Sequence, residues 1–141
     1  MQESPFFDIS LGEHIASNDS AFAIWDGFAV SPGHALVIPK RLFGSWWEAT
    51  AQERVDLFAL VDEVRAKIAV DYKPAGYNIG INVGEASGQT IDHLHIHVIP
   101  RYDGDVSDPR GGVRHVIPSK GNYLVPSQES SFPALIDSQD E

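Results

Sequence analysis

Cysteine is absent from the 141 residues, so neither a disulfide nor a thiolate zinc site can form. No apolar run approaches the roughly 20 residues that a helix needs to span a bilayer. The opening Met1-Gln2-Glu3-Ser4-Pro5 has neither the basic n-region nor the apolar core of a secretory signal. Cations are scarce: 10 Lys and Arg stand against 20 Asp and Glu, a formal net charge of −10. A surface of that sign repels phosphate backbones, which argues against broad nucleic-acid binding. It still allows a small phosphorylated ligand held in a local pocket. These absences give the expectation of a cytoplasmic protein with no membrane and no nucleic-acid partner. The length and apolar fraction suit one domain with a core of its own.

Turn residues punctuate the first third of the chain. Ala21-Phe22-Ala23-Ile24-Trp25 alternates imperfectly and runs into Asp26-Gly27. Phe28-Ala29-Val30 follows, then Ser31-Pro32-Gly33, then His34-Ala35-Leu36-Val37-Ile38, closed by Pro39-Lys40-Arg41. Three short apolar runs between turns predict an antiparallel meander. The period then changes. Thr50-Ala51-Gln52-Glu53 has the capping-box pattern, and Val55, Phe58, Val61, Val64 and Ile68 recur at threes and fours. This spacing predicts an amphipathic helix over about 51–70, ended by Pro74-Ala75-Gly76. Residues 77–83 alternate as a strand, and 84–90 read as a polar, glycine-bearing loop. Val113-Arg114-His115-Val116-Ile117 reads as a short strand. From Pro126 onward Ser, Gln and acidic residues dominate, so the domain is placed at 1–125. Residues 126–141 are read as a flexible or partner-docked acidic tail.

The segment His93-Leu94-His95-Ile96-His97-Val98 carries most of the chemistry. In a strand, successive side chains point to opposite faces. The three imidazoles therefore line one face, and Leu94, Ile96 and Val98 line the other. Such a row has three readings. A neutral imidazole can attack phosphorus while a neighbour donates to the phosphate oxygens and a backbone carbonyl fixes the attacking tautomer. His-x-His can direct two nitrogens at one metal ion. The row can also be a solvated face without a joint role.

The run from His93 to Ile99 has the form His-φ-His-φ-His-φ-φ, and here the chain resembles the histidine triad (HIT) superfamily. Asp26, the segment Ser31–Arg41, Asn82 and Gly88-Gln89-Thr90 extend the resemblance over about residues 4–118. It implies an α+β fold, a five-stranded antiparallel sheet with one long helix and one or more short ones, assembled as a homodimer. It implies nucleotide binding and hydrolysis or transfer at the α-phosphate through a phosphohistidine. On that resemblance His95 is the nucleophile, His97 and His34 contact phosphate oxygens, and His93 orients the strand and the nucleophile. Thr90 takes the position that touches phosphate or leaving group. Gln89 and Asn82 stand beside the phosphates, and Asp26 binds the ribose hydroxyls. Trp25, Ile24 and Phe6 lie near the base, although core packing is the simpler reading for Ile24. No protein metal site is implied, though a divalent cation can accompany a polyphosphate substrate.

Two departures refine the expectation. Many bacterial relatives begin with Cys-Pro-x-Cys and carry a later histidine, which together form a structural zinc site. Here Ser4-Pro5-Phe6-Phe7 and Leu42 stand instead. No structural zinc is expected, with Phe6, Phe7 and Leu42 packing in its place. The Trp-Pro segment of the phosphoramidase branch is also missing. The stretches Pro100–Asp105 and Asp108–Arg114 look more like the dinucleoside polyphosphate hydrolase branch. Arg110 and Arg114 are candidates for distal phosphates or for a surface or dimer role. The leading expectation is hydrolysis of an adenine-containing dinucleoside polyphosphate through nucleotidylated His95. The alternatives are a purine nucleoside phosphoramidase, a nucleotidyltransferase, and a non-enzymatic nucleotide-binding or scaffold protein.

Overall fold

The computed structural model describes residues 3–125, which fall into two compact units, 3–103 and 104–125. The acidic tail expected over 126–141 lies outside the described residues. In the first unit five strands form one antiparallel sheet: β1 (Ala16–Ser17), β2 (Ala21–Trp25), β3 (Ala35–Pro39), β4 (Gly76–Ile81) and β5 (Ile96–Arg101). The order is β1-β2-β3-β5-β4. The last strand is inserted between β3 and β4, so His97 sits mid-sheet, opposite Leu36 on one side and Gly80 on the other.

Helix α1 (Ala51–Tyr72) begins at Thr50. Thr50 Oγ1 accepts from Glu53 N–H, and Glu53 Oε1 accepts from Thr50 N–H, so two orphan donors of the first turn are satisfied. Glu53 also takes a two-pronged contact from Arg41, at 2.7 and 3.1 Å, which ties the helix start to the segment after β3. The buried stripe is Glu53, Leu57, Leu60, Val61, Val64 and Ile68. Val55 and Phe58 of the expected stripe are exposed, at 63% and 43%. The true face is rotated, with Leu57 and Leu60 inside. Phe58 packs edge-on to Trp46 at the surface instead.

The helix covers one face of the sheet, against Ala21, Ala23, Ala35, Val37, Leu94, Ile96 and Val98. Alternation sends Phe22, Ile24, Leu36 and Ile38 to the opposite face, where Phe6 joins them. Both faces are therefore apolar, and β3 is buried along its whole length. Among the described residues no helix is long and apolar enough to cross a membrane.

Two expected strands are not strands. Phe28-Ala29-Val30 belongs to a turn between β2 and β3, with Phe28 92% and Val30 73% exposed. The reason lies in its amides. Phe28 N–H donates to Asp26 Oδ1 and Val30 N–H to His34 Nδ1, so side chains take the donors a ladder would use. In the second unit, Gly112–Val116 forms a 3-10 turn. Gly111 and Gly112 at positive φ curl the backbone, and Arg114 N–H returns to Gly111 O. The histidine segment is also only partly ladder. Leu94 N–H pairs with Phe43 O, and regular strand pairing begins at Ile96.

Candidate active site

His34 is delivered by the turn between β2 and β3, and that turn is fixed on three sides. Ser31 Oγ donates to Pro100 O at 2.7 Å, and Tyr102 OH donates to Pro32 O at 2.6 Å. Gly33 adopts φ +85° against the Tyr72 ring, where an added Cβ would lie 2.9 Å from ring carbon. A side chain does not fit there, which explains the Ser-Pro-Gly run. The turn brings Asp26 and His34, eight residues apart, against His97 of β5.

Backbone groups, whose donor or acceptor role is invariant, assign the protons. Val30 N–H can only donate, so His34 Nδ1 accepts it at 3.1 Å. Neutral His34 then carries its proton on Nε2. That N–H points at His97 Nδ1, 3.0 Å away, and at Asp26 Oδ2, 3.3 Å away. His97 Nδ1 is thereby an acceptor, and its proton sits on Nε2. Burial depresses the pKa of both rings. His97 falls to about 4, through burial first and then its neighbours His95 and His34, while Asp26 opposes. His34 moves the same way, burial outweighing Asp26. Both are neutral at pH 7, so His97 presents a neutral N–H donor.

The other two histidines are set by carbonyls. Pro39 O accepts from His93 Nε2–H at 2.8 Å, so His93 Nδ1 accepts from Ser4 Oγ–H at 2.7 Å. His93 is fully buried, and burial lowers its pKa. Its own carbonyl accepts from His95 Nδ1–H at 2.8 Å. Nε2 of His95 is left with a lone pair. The rings of His95 and His97 meet edge to face at 5.1 Å, and Phe6 packs edge-on to His95 at 5.2 Å.

His95 and His97 open onto a cleft of about 490 Å³. Asp26, Asn82, Gly88 and Thr90 add polar lining, and Phe6, Ile9, Ile24, Trp25, Phe28 and Ile91 add an apolar part. The structure thus brings most of the expected residues to one cavity. Three differ. His93 is fully buried behind the cleft, and only its backbone carbonyl meets His95. His34 is 3% exposed with both ring nitrogens occupied, so it reaches the cleft through His97 and not by its own contact. Gln89 braces the loop: its Oε1 accepts from Gly84 N–H, and its Nε2 donates to Gly44 O and Ile91 O. Phe6 is buried with its ring 5.6 Å from His93, and Phe7, 41% exposed, has its ring 5.1 Å from the same imidazole. Arg110 pairs with Asp108, and Arg114 donates to Gly121 O and Lys120 O within the second unit. Sequence reasoning missed Ser4, Val30 N–H and Pro39 O. Backbone groups carry no letter, and a serine before proline signals only a local cap.

Asp26, His34 and His97 also offer three donor atoms within 4.8 Å of one another. Their separations of 3.0, 3.3 and 4.0 Å approach the edge of about 3.3 Å in a tetrahedral zinc site. The tautomers oppose a metal. Ligation needs a lone pair on His34 Nε2, which would move the ring proton to Nδ1, against the Val30 N–H. The group fits a hydrogen-bond relay better than a cation.

Residues 12–104 match the HIT domain. An AP-4-A phosphorylase of Mycobacterium tuberculosis is 30% identical over 106 residues, which are 74% of this chain and 54% of that protein. An asymmetrical bis(5'-nucleosyl)-tetraphosphatase of Schizosaccharomyces pombe is 40% identical over 79 residues, 56% of this chain and 43% of the relative. The chain thus spans about half the length of these two relatives. The crystal structure of SMU.412c from Streptococcus mutans superimposes with a TM-score of 0.69 at 26% identity, covering 99% of this chain and 83% of that one. The domain match, the shared sheet and the histidine-bearing fifth strand together make this chain a member of the HIT family.

Proposed function

We propose that the protein is a nucleotide hydrolase that acts at the α-phosphate of a dinucleoside polyphosphate through a nucleotidyl-His95 intermediate. The observation that carries this is a pair of contacts at one cleft: His95 Nδ1 lies 2.8 Å from the His93 carbonyl, which assigns its lone pair to Nε2, and His97 Nδ1 lies 3.0 Å from His34 Nε2, which assigns its proton to Nε2. A phosphoryl centre needs an in-line nucleophile and donors for its equatorial oxygens. His95 Nε2 forms the bond to phosphorus as the bond to the leaving polyphosphate oxygen breaks. His97 Nε2–H, with Thr90, steadies the oxygens. Water then attacks phosphorus, the N–P bond breaks, and a mononucleotide leaves as the water's proton passes to solvent.

Asp26 accepts from Phe28 N–H on one oxygen and lies beside His34 on the other, with remaining lone pairs for ribose hydroxyls. Asn82 flanks the phosphates, and Trp25 with Phe6 flanks the base, adenine being the favoured one. His34 serves as the residue that sets the His97 proton, and a second copy of the chain completes a homodimer. The reading rests on protein groups alone, with any divalent cation arriving on the polyphosphate. The named activities of the two relatives support a dinucleoside polyphosphate substrate, and the phosphorylase leaves inorganic phosphate as the alternative acceptor to water.

His95→Asn tests the mechanism. Turnover of a diadenosine polyphosphate should fall by at least about 10³-fold while mononucleotide affinity stays within a few fold. Full activity in that variant would remove the covalent step.

A further inference from the structure

We propose that Ser4 is a positioning residue for the His95 nucleophile, acting through the side chain and then the backbone carbonyl of His93. The inference deepens the functional reading above and rests on it. Ser4 caps the 3-10 turn Pro5–Asp8, where its Oγ accepts Phe6 N–H at 3.2 Å. Capping uses only a lone pair. The hydroxyl proton goes elsewhere, to His93 Nδ1, 89 residues away in sequence and 2.7 Å away in space. The other nitrogen of the ring donates to Pro39 O at the end of β3. The imidazole is thus a strut between the N-terminal turn and the sheet, with both polar atoms satisfied and no exposure.

The consequence reaches the nucleophile in one residue. The His93 carbonyl takes the Nδ1 proton of His95 at 2.8 Å. A neutral imidazole released from that carbonyl is free to carry its proton on Nε2, the nitrogen that must attack. Phe6 ties the two together, since its ring touches both histidines and its amide sits on Ser4. Removal of the Ser4 hydroxyl leaves the buried Nδ1 and the Phe6 amide without partners. The His93 ring must then turn or change its proton.

The full-length chain with ¹⁵N-histidine reports tautomers directly by NMR. In the wild type, His93 should carry its proton on Nε2 and His95 on Nδ1. In Ser4→Ala, His95 should shift toward the Nε2-protonated form, with kcat lower by about tenfold or more and KM within about twofold. Ser4→Thr, which keeps the hydroxyl, should restore both. An Nδ1-protonated His93 in the wild type would overturn the proposal. So would an unchanged His95 tautomer in Ser4→Ala, or equal losses in the Ala and Thr variants. Should Ser4→Ala fail to fold, the wild-type His93 tautomer and the Thr variant still decide. If the wild type turns over no nucleotide, the functional reading falls, while the tautomer measurements judge Ser4 by themselves.

Discussion

Acid should destabilise this fold well above the carboxylate range, because it charges histidines that the structure holds neutral. His97 has its pKa depressed to about 4, against an ordinary 6.5, chiefly by burial and then by His95 and His34. Between those values the unfolded chain binds more protons than the folded one. Stability is therefore fully retained above pH 6.5 and is lost as pH falls toward 4. For one site with these values the loss is about 2 kcal/mol at pH 5 and about 3 kcal/mol at pH 4. The side chain keeps 23% of its exposure, so solvent screening makes these figures upper values. His34 and His93 shift in the same direction, through burial, and steepen the slope. Urea unfolding followed by tryptophan fluorescence at pH 7, 6, 5 and 4.5 measures the effect. His97→Asn is the control, since its carbonyl can accept the His34 N–H but cannot titrate. Up to about 2 kcal/mol of the wild-type loss between pH 7 and pH 5 should be missing from the variant. Parallel stability curves would refute the assignment of a neutral, buried His97.

Three further outcomes follow from packing. Gly33→Ala sets a Cβ against Tyr72 at a positive φ, and should lower stability by about 1–3 kcal/mol and reduce turnover as His34 moves, read by thermal melts and kinetics. Glu53→Ala removes both the Arg41 contact and the reciprocal cap, for about 1–3 kcal/mol by urea titration. Glu53→Gln keeps an acceptor for Thr50 N–H and should recover part of that. Leu57→Ala should cost about 2–5 kcal/mol and Val55→Ala under about 0.5. Reversed values would show that the helix face is assigned wrongly.

Local order was legible in the residues, because periodicity and capping are short-range properties. The Thr50/Glu53 pair marked the start of α1, the apolar run His34–Ile38 marked the strand found at Ala35–Pro39, and the alternation over 77–83 marked the strand found at Gly76–Ile81. The spacing of His95 and His97 put two rings on one side of the chain, and Asp26 and His34 straddled a turn. What the residues did not carry was the choice of partner. Whether Phe28-Ala29-Val30 pairs as a strand depends on Asp26 and His34 taking its amides first. Whether Phe58 or Leu57 is buried depends on how α1 rolls onto a sheet whose facing residues, Ala21, Ala23 and Ala35, are small. The protons of the site depend on Val30 N–H, Pro39 O and the His93 carbonyl, brought together when β5 inserts between β3 and β4. Sequence alone thus singled out Asp26, Asn82, Thr90, His95 and His97, which the structure gathers at one cleft. Only the tertiary structure decided which nitrogen of each histidine holds a proton, because that is settled by fixed backbone donors and acceptors arriving from distant parts of the chain.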